Sequence, residues 1–289
     1  MVKVRCRRWR ALVVLLLSFV TCDSSFAQTG LKVQLVSEVT AVVPGQPFTV
    51  GLWMDHDRGH HTYWRFPGIV GVPTQMMWKL PKGWKAGELV HPEPERTLMF
   101  KIKAQGFDRD VMLRTEITPP ADLKIGDLVT LTGTASWMCC GRTCHPASME
   151  LSLTLPVAET AELDPKVHRL LEAERARQER PSEAWSAEAS EKGERITLVL
   201  RPAAGARISK GQREADSIIV FTEDGWFDSD KPQTVVRHSD GSLSITLIKA
   251  ETYLGGGPPK TLRAILRNEE GWLLDCSLRC LKIEPRIAR

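Results

Sequence analysis

The residues best suited to chemistry in this 289-residue sequence lie in SWMCCGRTCHP (136–146), where Cys139, Cys140 and Cys144 fall within six positions. Cysteine sulfur can exchange disulfides, ligate soft metals or staple a chain, and the choice depends on which sulfurs can meet. Side chains alternate faces along a strand, so parity sorts them. In VTLTGTASWMCC, Val129, Leu131, Gly133, Ala135, Trp137 and Cys139 form an apolar set; Thr130, Thr132, Thr134, Ser136, Met138 and Cys140 form a mostly polar one. Cys139 is therefore expected in the core beside Trp137, and Cys140 is expected to face outward to solvent. On the return run, Ala147, Met149, Leu151, Leu153 and Leu155 are the apolar set, and Cys144 falls with Ser148, Glu150 and Ser152. Closing the hairpin through Gly141-Arg142-Thr143, a loop length that usually needs glycine, sets Cys140 opposite Cys144 and Trp137 opposite Ala147. Directly opposed residues have Cα atoms roughly 4.5–5.5 Å apart, which a disulfide accepts.

A bridge around so few residues gains roughly 2 kcal/mol on the loop-entropy account, against about 4.7 for a 100-residue loop. A hairpin already holds those ends together, so a staple is an inefficient use of two outward cysteines. Arg142 in the loop and His145 beside Cys144 would favour a thiolate, the species that exchanges disulfides. Three readings stay open on these grounds: a reversible redox pair, a structural disulfide, or a copper or zinc site at Cys140, Cys144 and His145. His56, His60 and His61 in DHDRGHHTYW are further conceivable ligands. No phosphate-binding loop, dinucleotide fingerprint or serine-nucleophile elbow occurs, and no cofactor is expected.

Strands must position this hairpin. From Leu31 to Pro156, LKVQLVSEV, FTVGLWM, DVMLRTEI, LVTLTGTASWM and SMELSLTL alternate at period two, between turn signals such as PGQP and LPKGW. Such punctuation argues for an antiparallel sandwich. Within 158–193, Asp164 is an expected N-cap, Pro165 a first helical residue and Pro181 a stop, giving a short linker helix with Val167, Leu170 and Leu171 on its apolar edge. A polar connector should follow it. From 194, RITLVLRP, SIIVF, TVVRH, LSITLIKA and TLRAILR predict a second sandwich, with SDGS (239–242) as a hairpin turn. In GWLLDCSLRCLKI, Trp272, Leu274, Cys276, Leu278 and Cys280 share one parity, which predicts a final strand with both cysteines as buried free thiols.

Five basic residues (Lys3, Arg5, Arg7, Arg8, Arg10), the apolar run ALVVLLLSFV (11–20) and Ser25-Phe26-Ala27 read as a secretory signal over 1–27. The apolar run is too short for a confident membrane anchor. Threonine before Cys22 makes FVTC a poor lipidation site. The sequence carries 39 Lys+Arg and 35 Asp+Glu; without residues 1–27 it carries 34 of each. The apparent positive charge belongs to the signal, so no global field draws nucleic acid or anionic lipid. An exported chain sits where disulfides persist.

HTYW (61–64), WKLPKGWKAG (78–87), PEPER (92–96) and SWMCCGRTCHP resemble the N-terminal periplasmic domain of DsbD/ScsB-type thiol:disulfide interchange proteins. The resemblance spans most of 31–157 and continues more weakly through FTEDGWFDSDKPQ (221–233). It implies an all-β chain of two tandem immunoglobulin-like sandwiches: a redox domain over 28–157, a helical linker over 158–193 and a second domain over 194–289. It also implies a shuttling pair at Cys140 and Cys144, with His61, Tyr63 and Trp137 packed beneath them. The activity implied is a protein-disulfide reductase component in the periplasm, exchanging with thioredoxin-fold partners in disulfide isomerisation, cytochrome c maturation or copper tolerance. Family members continue into membrane-embedded and thioredoxin-like domains. The sequence stops at Arg289 short of either, so electrons are expected from a separate polypeptide. RTLMFKIKAQGFDRD (96–110) departs from the family's glycine-rich segment.

Overall fold

The computed structural model describes residues 27–28, 30–208, 217–253, 255–275 and 278–289. The expected signal, apart from Ala27, lies outside the described residues, as does Cys276. The first eleven strands are β1 (Ala27–Gln28), β2 (Leu31–Ser37), β3 (Phe48–His56), β4 (Thr62–Tyr63), β5 (Gln75–Lys79), β6 (Lys85–Ala86), β7 (Glu95–Met99), β8 (Ile102–Phe107), β9 (Val111–Thr118), β10 (Leu128–Cys140) and β11 (Cys144–Pro156). Helix α1 (Pro165–Ala176) follows. Then come β12 (Trp185–Lys192), β13 (Arg195–Pro202), β14 (Ile218–Thr222), β15 (Thr234–Arg237), β16 (Leu243–Ile248), β17 (Ala264–Asn268), β18 (Cys280–Ile283) and β19 (Ile287–Ala288).

The architecture is all-β and immunoglobulin-like. In the first unit a five-stranded sheet, β1-β2-β3-β9-β6, packs on the three-stranded sheet β11-β10-β5. Their inner faces interdigitate through Val33, Leu35, Leu52, Leu113, Leu131, Ala135, Trp137 and Leu151. A third sheet, β4-β8-β7, lies outside this sandwich. The second unit pairs β15-β16-β13-β12-β19 with β14-β17-β18. The SDGS turn does join β15 to β16, with Gly241 in the left-handed region.

Asp164 caps α1 by accepting from the Lys166 and Val167 amides at 2.9 Å, and Pro165 opens it. The buried Leu171 packs inward, and buried Glu174 accepts two bonds from Arg109. The helix ends at Ala176, before the expected stop at Pro181. Residues 185–192, expected in a polar connector, form β12 instead, paired with β13. Their alternation was masked because its inward positions include small Ala187 and Ala189. The predicted final strand is also corrected: Leu273 makes an isolated antiparallel bridge to Ile208, Leu274 and Asp275 form a turn with Leu274 exposed, and β18 begins only at Cys280. The Trp272 amide donates back to the Leu278 carbonyl at 2.7 Å, a bond between two residues that a continuous strand would hold far apart.

The two units share packing. Phe221, Ile265 and Cys280 join the first unit's core. Arg65 donates to Glu179 at 2.7 Å and to Glu223 at 2.6 Å, tying the first unit to the segments that follow α1.

Buried titratable groups make this fold acid-sensitive. Burial pushes the His91 and His56 imidazoles down from 6.5 to about 4. His91 stacks on Phe107 with ring centroids 6.4 Å apart. At these two histidines the unfolded chain binds protons that the folded one refuses, so their contribution is full above about pH 6.5 and declines as the pH falls toward about 4. Buried Glu95, raised to about 7 by burial, works the other way between about 7 and 4.5 and offsets only part of that loss. Glu38, held down to about 2 chiefly by its Arg175 hydrogen bonds, adds a loss between 4.5 and about 2. Denaturation midpoints should accordingly fall continuously from about pH 6.5 downward; a flat profile to pH 4.5 would contradict the histidine assignment.

Candidate functional site

Strands β10 and β11 pair antiparallel without a break from Leu128↔Pro156 to Cys140↔Cys144, including Trp137↔Ala147. No bulge shifts the register at the glycine. Cys140 and Cys144 form a disulfide with Cα atoms 4.1 Å apart. Cys139 is a free, buried thiol in the core, and burial pushes its pKa up to about 11, so it stays protonated.

The outward-facing expectation for Cys140 is corrected. Parity does place it on the face opposite Cys139, but that face is covered: Cys140 is 1% exposed, clustered with Tyr63 and Ala104 and flanked by Val70 and Met138. Cys144 is half-buried, so of the two residues it is the more exposed. Two elements make the cover. Strand β4 is joined to the hairpin end by an antiparallel bridge in which His61 and Cys140 exchange both backbone bonds at 2.9 Å. Strand β8 pairs with β4 through Thr62↔Phe107 and Tyr63↔Gly106 and carries Ala104. The segment 67–73 then crosses Tyr63. Gly68 and Gly71 have φ of 96° and 98°, and a Cβ on Gly71 would collide with the Tyr63 ring.

Polar contacts to the sulfurs are sparse. The Tyr63 hydroxyl donates to Cys140 Sγ at 3.1 Å and lies 3.2 Å from His61 Nε2. The His61 and Tyr63 rings meet edge to face, with centroids 5.3 Å apart. Burial raises the Tyr63 pKa to about 12 and lowers that of His61, so both are neutral near pH 7. Trp137 lies in the core beneath. Arg142 is exposed in the loop. His145 pairs across from Cys139, not with the disulfide, and its Nε2 bonds Thr143 Oγ1 at 2.7 Å. The fold thus brings His61 and Tyr63 to Cys140 and leaves His145 on the other face of the hairpin.

Among the described residues, one trio of His, Cys, Asp or Glu places ligand atoms within 4.8 Å of one another: Glu38, His168 and Glu172. Arg175 already occupies Glu38 there, donating at 2.6 and 2.7 Å. Neither His56 nor His60 joins such a group. His56 bonds Thr62 Oγ1 at 3.0 Å. The His60 ring is wedged between Gly30 and Gly141, and a Cβ on Gly141 would lie 2.7 Å from His60 Nε2. Gly141 is therefore required by close approach and not by a left-handed turn, since its φ is not positive.

One feature of the site had no signal in the cysteine motif: the second unit holds the cover. Gln105, in β8 next to Ala104, donates to the Thr222 carbonyl and accepts from the Thr222 amide, both at 2.8 Å. Its Nε2 also donates to the Phe66 carbonyl at 2.6 Å. On the other side of Ala104, the Lys103 amide donates to Asp230 Oδ1 at 2.9 Å. A glutamine set between the small residues Ala104 and Gly106, two positions after Lys103, was the available hint.

Residues 30–156 match the family model described as thiol:disulfide interchange protein DsbD, N-terminal. Over those residues the chain is similar to the N-terminal domain of DsbD-type proteins. In a solved structure, the N-terminal periplasmic domain of ScsB from Proteus mirabilis, a comparable fold recurs with a TM-score of 0.60 at 16% identity, covering 91% of this chain and 95% of that one. At that identity the likeness shows the fold alone. A protein of unknown function from Porphyromonas gingivalis W83 matches with a TM-score of 0.25 at 12% identity, covering 89% of this chain and all of that one. Spo0M, a sporulation control protein from Bacillus subtilis, matches with a TM-score of 0.22 at 13% identity, covering 90% and 91%. Both scores are too low to support an argument. No curated relative matches the chain. No helix among the described residues is long and apolar enough to cross a membrane.

Truncating Gln105 would strand both backbone groups of Thr222 in a dry interface, and each such loss costs about 1–3 kcal/mol. Gln105→Ala should therefore lower stability by about 2–6 kcal/mol in chemical denaturation. It should also raise the alkylation rate of Cys140 in the reduced protein; no change in either would show that the second unit does not hold the cover.

Proposed function

We propose that the chain is a periplasmic thiol–disulfide exchange protein that takes reducing equivalents from one thioredoxin-fold partner and passes them to others through Cys140 and Cys144. The observation that carries this reading is a disulfide between register-opposed cysteines at the end of a hairpin, in a region similar to the N-terminal domain of DsbD-type proteins. A bridge closing so short a loop adds little to a hairpin already paired along its whole length, which favours exchange over stapling.

The unequal burial of the two residues supports a division of roles. Cys144 is the sulfur a visiting thiolate reaches, and Cys140 is the leaving group. A donor thiolate attacks Cys144 Sγ; a donor–Cys144 disulfide forms, the 140–144 bond breaks, and the electron pair leaves on Cys140. The donor's second thiolate then attacks the donor sulfur and releases Cys144 as a thiolate. Two electrons have moved from the donor dithiol to this pair. Delivery to an acceptor runs the same steps in reverse, with Cys144 attacking the acceptor's disulfide. Val70 packs on the cluster that covers Cys140, so the covering segment shields the leaving sulfur and leaves Cys144 at the margin. The basic and apolar N-terminal sequence supports export to the periplasm, a compartment in which a disulfide can persist.

The test is mass spectrometry of thiol-alkylated mature protein equilibrated with reduced thioredoxin across a series of redox buffers. A 140–144 bridge that opens within the range of thioredoxin-fold couples, about −120 to −270 mV, supports exchange. A bridge that stays closed under the most reducing of them would make it a staple.

A further inference from the structure

Cys140 presents a problem for exchange. A thiolate released into a pocket of Tyr63, Ala104, Val70 and Met138 is poorly solvated, because burial in apolar surroundings disfavours the charged form. A leaving thiolate that is costly to form slows the opening of the bridge. The pocket nonetheless holds one donor. Among the described residues, Tyr63 supplies the hydrogen bond found at Cys140 Sγ, at 3.1 Å. Behind it, His61 Nε2 lies 3.2 Å from the same hydroxyl oxygen. If the Tyr63 proton points to sulfur, its oxygen is free to accept from His61 carrying its proton on Nε2. The chain then runs from His61 Nε2–H to Tyr63 O–H to Cys140 Sγ, and donors in series strengthen one another.

We propose that Tyr63 is a catalytic residue of the exchange reaction, donating a hydrogen bond that stabilises the Cys140 thiolate as the bridge opens, and that His61 is the positioning residue that orients and polarises its hydroxyl. The proposal deepens the exchange reading and rests on it. Backbone geometry builds the relay. The two-bond bridge between His61 and Cys140 fixes their strands side by side, and Tyr63, two residues along β4, shares the face of His61. Burial keeps the tyrosine neutral near pH 7, so it stays a donor and does not become a second anion beside the thiolate. Gly71 lets the 67–73 segment lie directly on the ring, which holds the hydroxyl in place.

The variant of choice is Tyr63→Phe, which keeps the ring under Gly71 and removes only the hydroxyl. Two separate readouts are needed. The first is the pH dependence of Cys140 alkylation, followed by peptide mass spectrometry in the folded Cys144→Ala protein. Loss of a hydrogen bond to a charged group should raise its midpoint by about one to two pH units. His61→Leu should give a smaller rise in the same direction, and His61→Gln, which keeps a donor, should restore most of it. The second is the rate at which reduced thioredoxin opens the oxidised protein, which should fall about three- to tenfold in Tyr63→Phe. An unchanged alkylation midpoint in Tyr63→Phe would overturn the proposal, whatever the rate. Failure of thioredoxin to open the unaltered protein would instead sink the exchange reading, and the alkylation midpoints would still decide whether Tyr63 acts on Cys140.

Discussion

The site depends on a single registration: thirteen residue pairs of β10 and β11, aligned so that Cys140 meets Cys144. A slip of one residue in an antiparallel pair turns every side chain of one strand to the other face. It would expel Trp137 and Cys139 from the core and part the two sulfurs. The inward set, Leu131, Ala135, Trp137 and Leu151 in the same packing as the five-stranded sheet, makes that slip costly. The core of the domain therefore sets the position of the disulfide, and the chemistry at the hairpin end inherits the precision of buried packing some distance below it.

The same registration makes two chemically identical residues unequal. Cys139 is sealed in the core as a protonated thiol. Cys140 faces away from that core but beneath a second, smaller layer, and Cys144 stands at its margin. The layer is held from both sides. Strand β4 bonds the backbone of Cys140 itself, while β8 is fastened to the second unit at Lys103 and Gln105, on either side of Ala104. The second unit thus has a physical connection to the disulfide through β8.

Much of this was legible in the amino-acid order. Period-two alternation located both long strands, and parity with loop length found the disulfide partners. What parity cannot reveal is what lies over a strand's second face. Cys140 belongs to a polar set along most of β10, and only its last residue is roofed, by β4 and by β8, which forms a hairpin of ERTLM and IKAQGF with β7. Those short strands carry Arg96, Lys103 and Gln105 toward the second unit, so they show no apolar alternation to be read. Gly141 was read as a turn residue, whereas the His60 ring is what excludes a side chain there, a contact between segments eighty residues apart. The final strand departs for a related reason: Trp272 and Leu278 are both buried, as parity required, but Leu274 between them is exposed, so the alternation does not hold.

The central claim is that burial divides the pair into an approachable sulfur and a protected one. Competitive labelling of the freshly reduced, folded protein with a small alkylating agent, quantified separately at the two positions, tests it most directly. Cys144 should be modified several-fold faster than Cys140, with the difference abolished by denaturant. Equal rates in the folded state, or faster modification of Cys140, would contradict the assignment of roles.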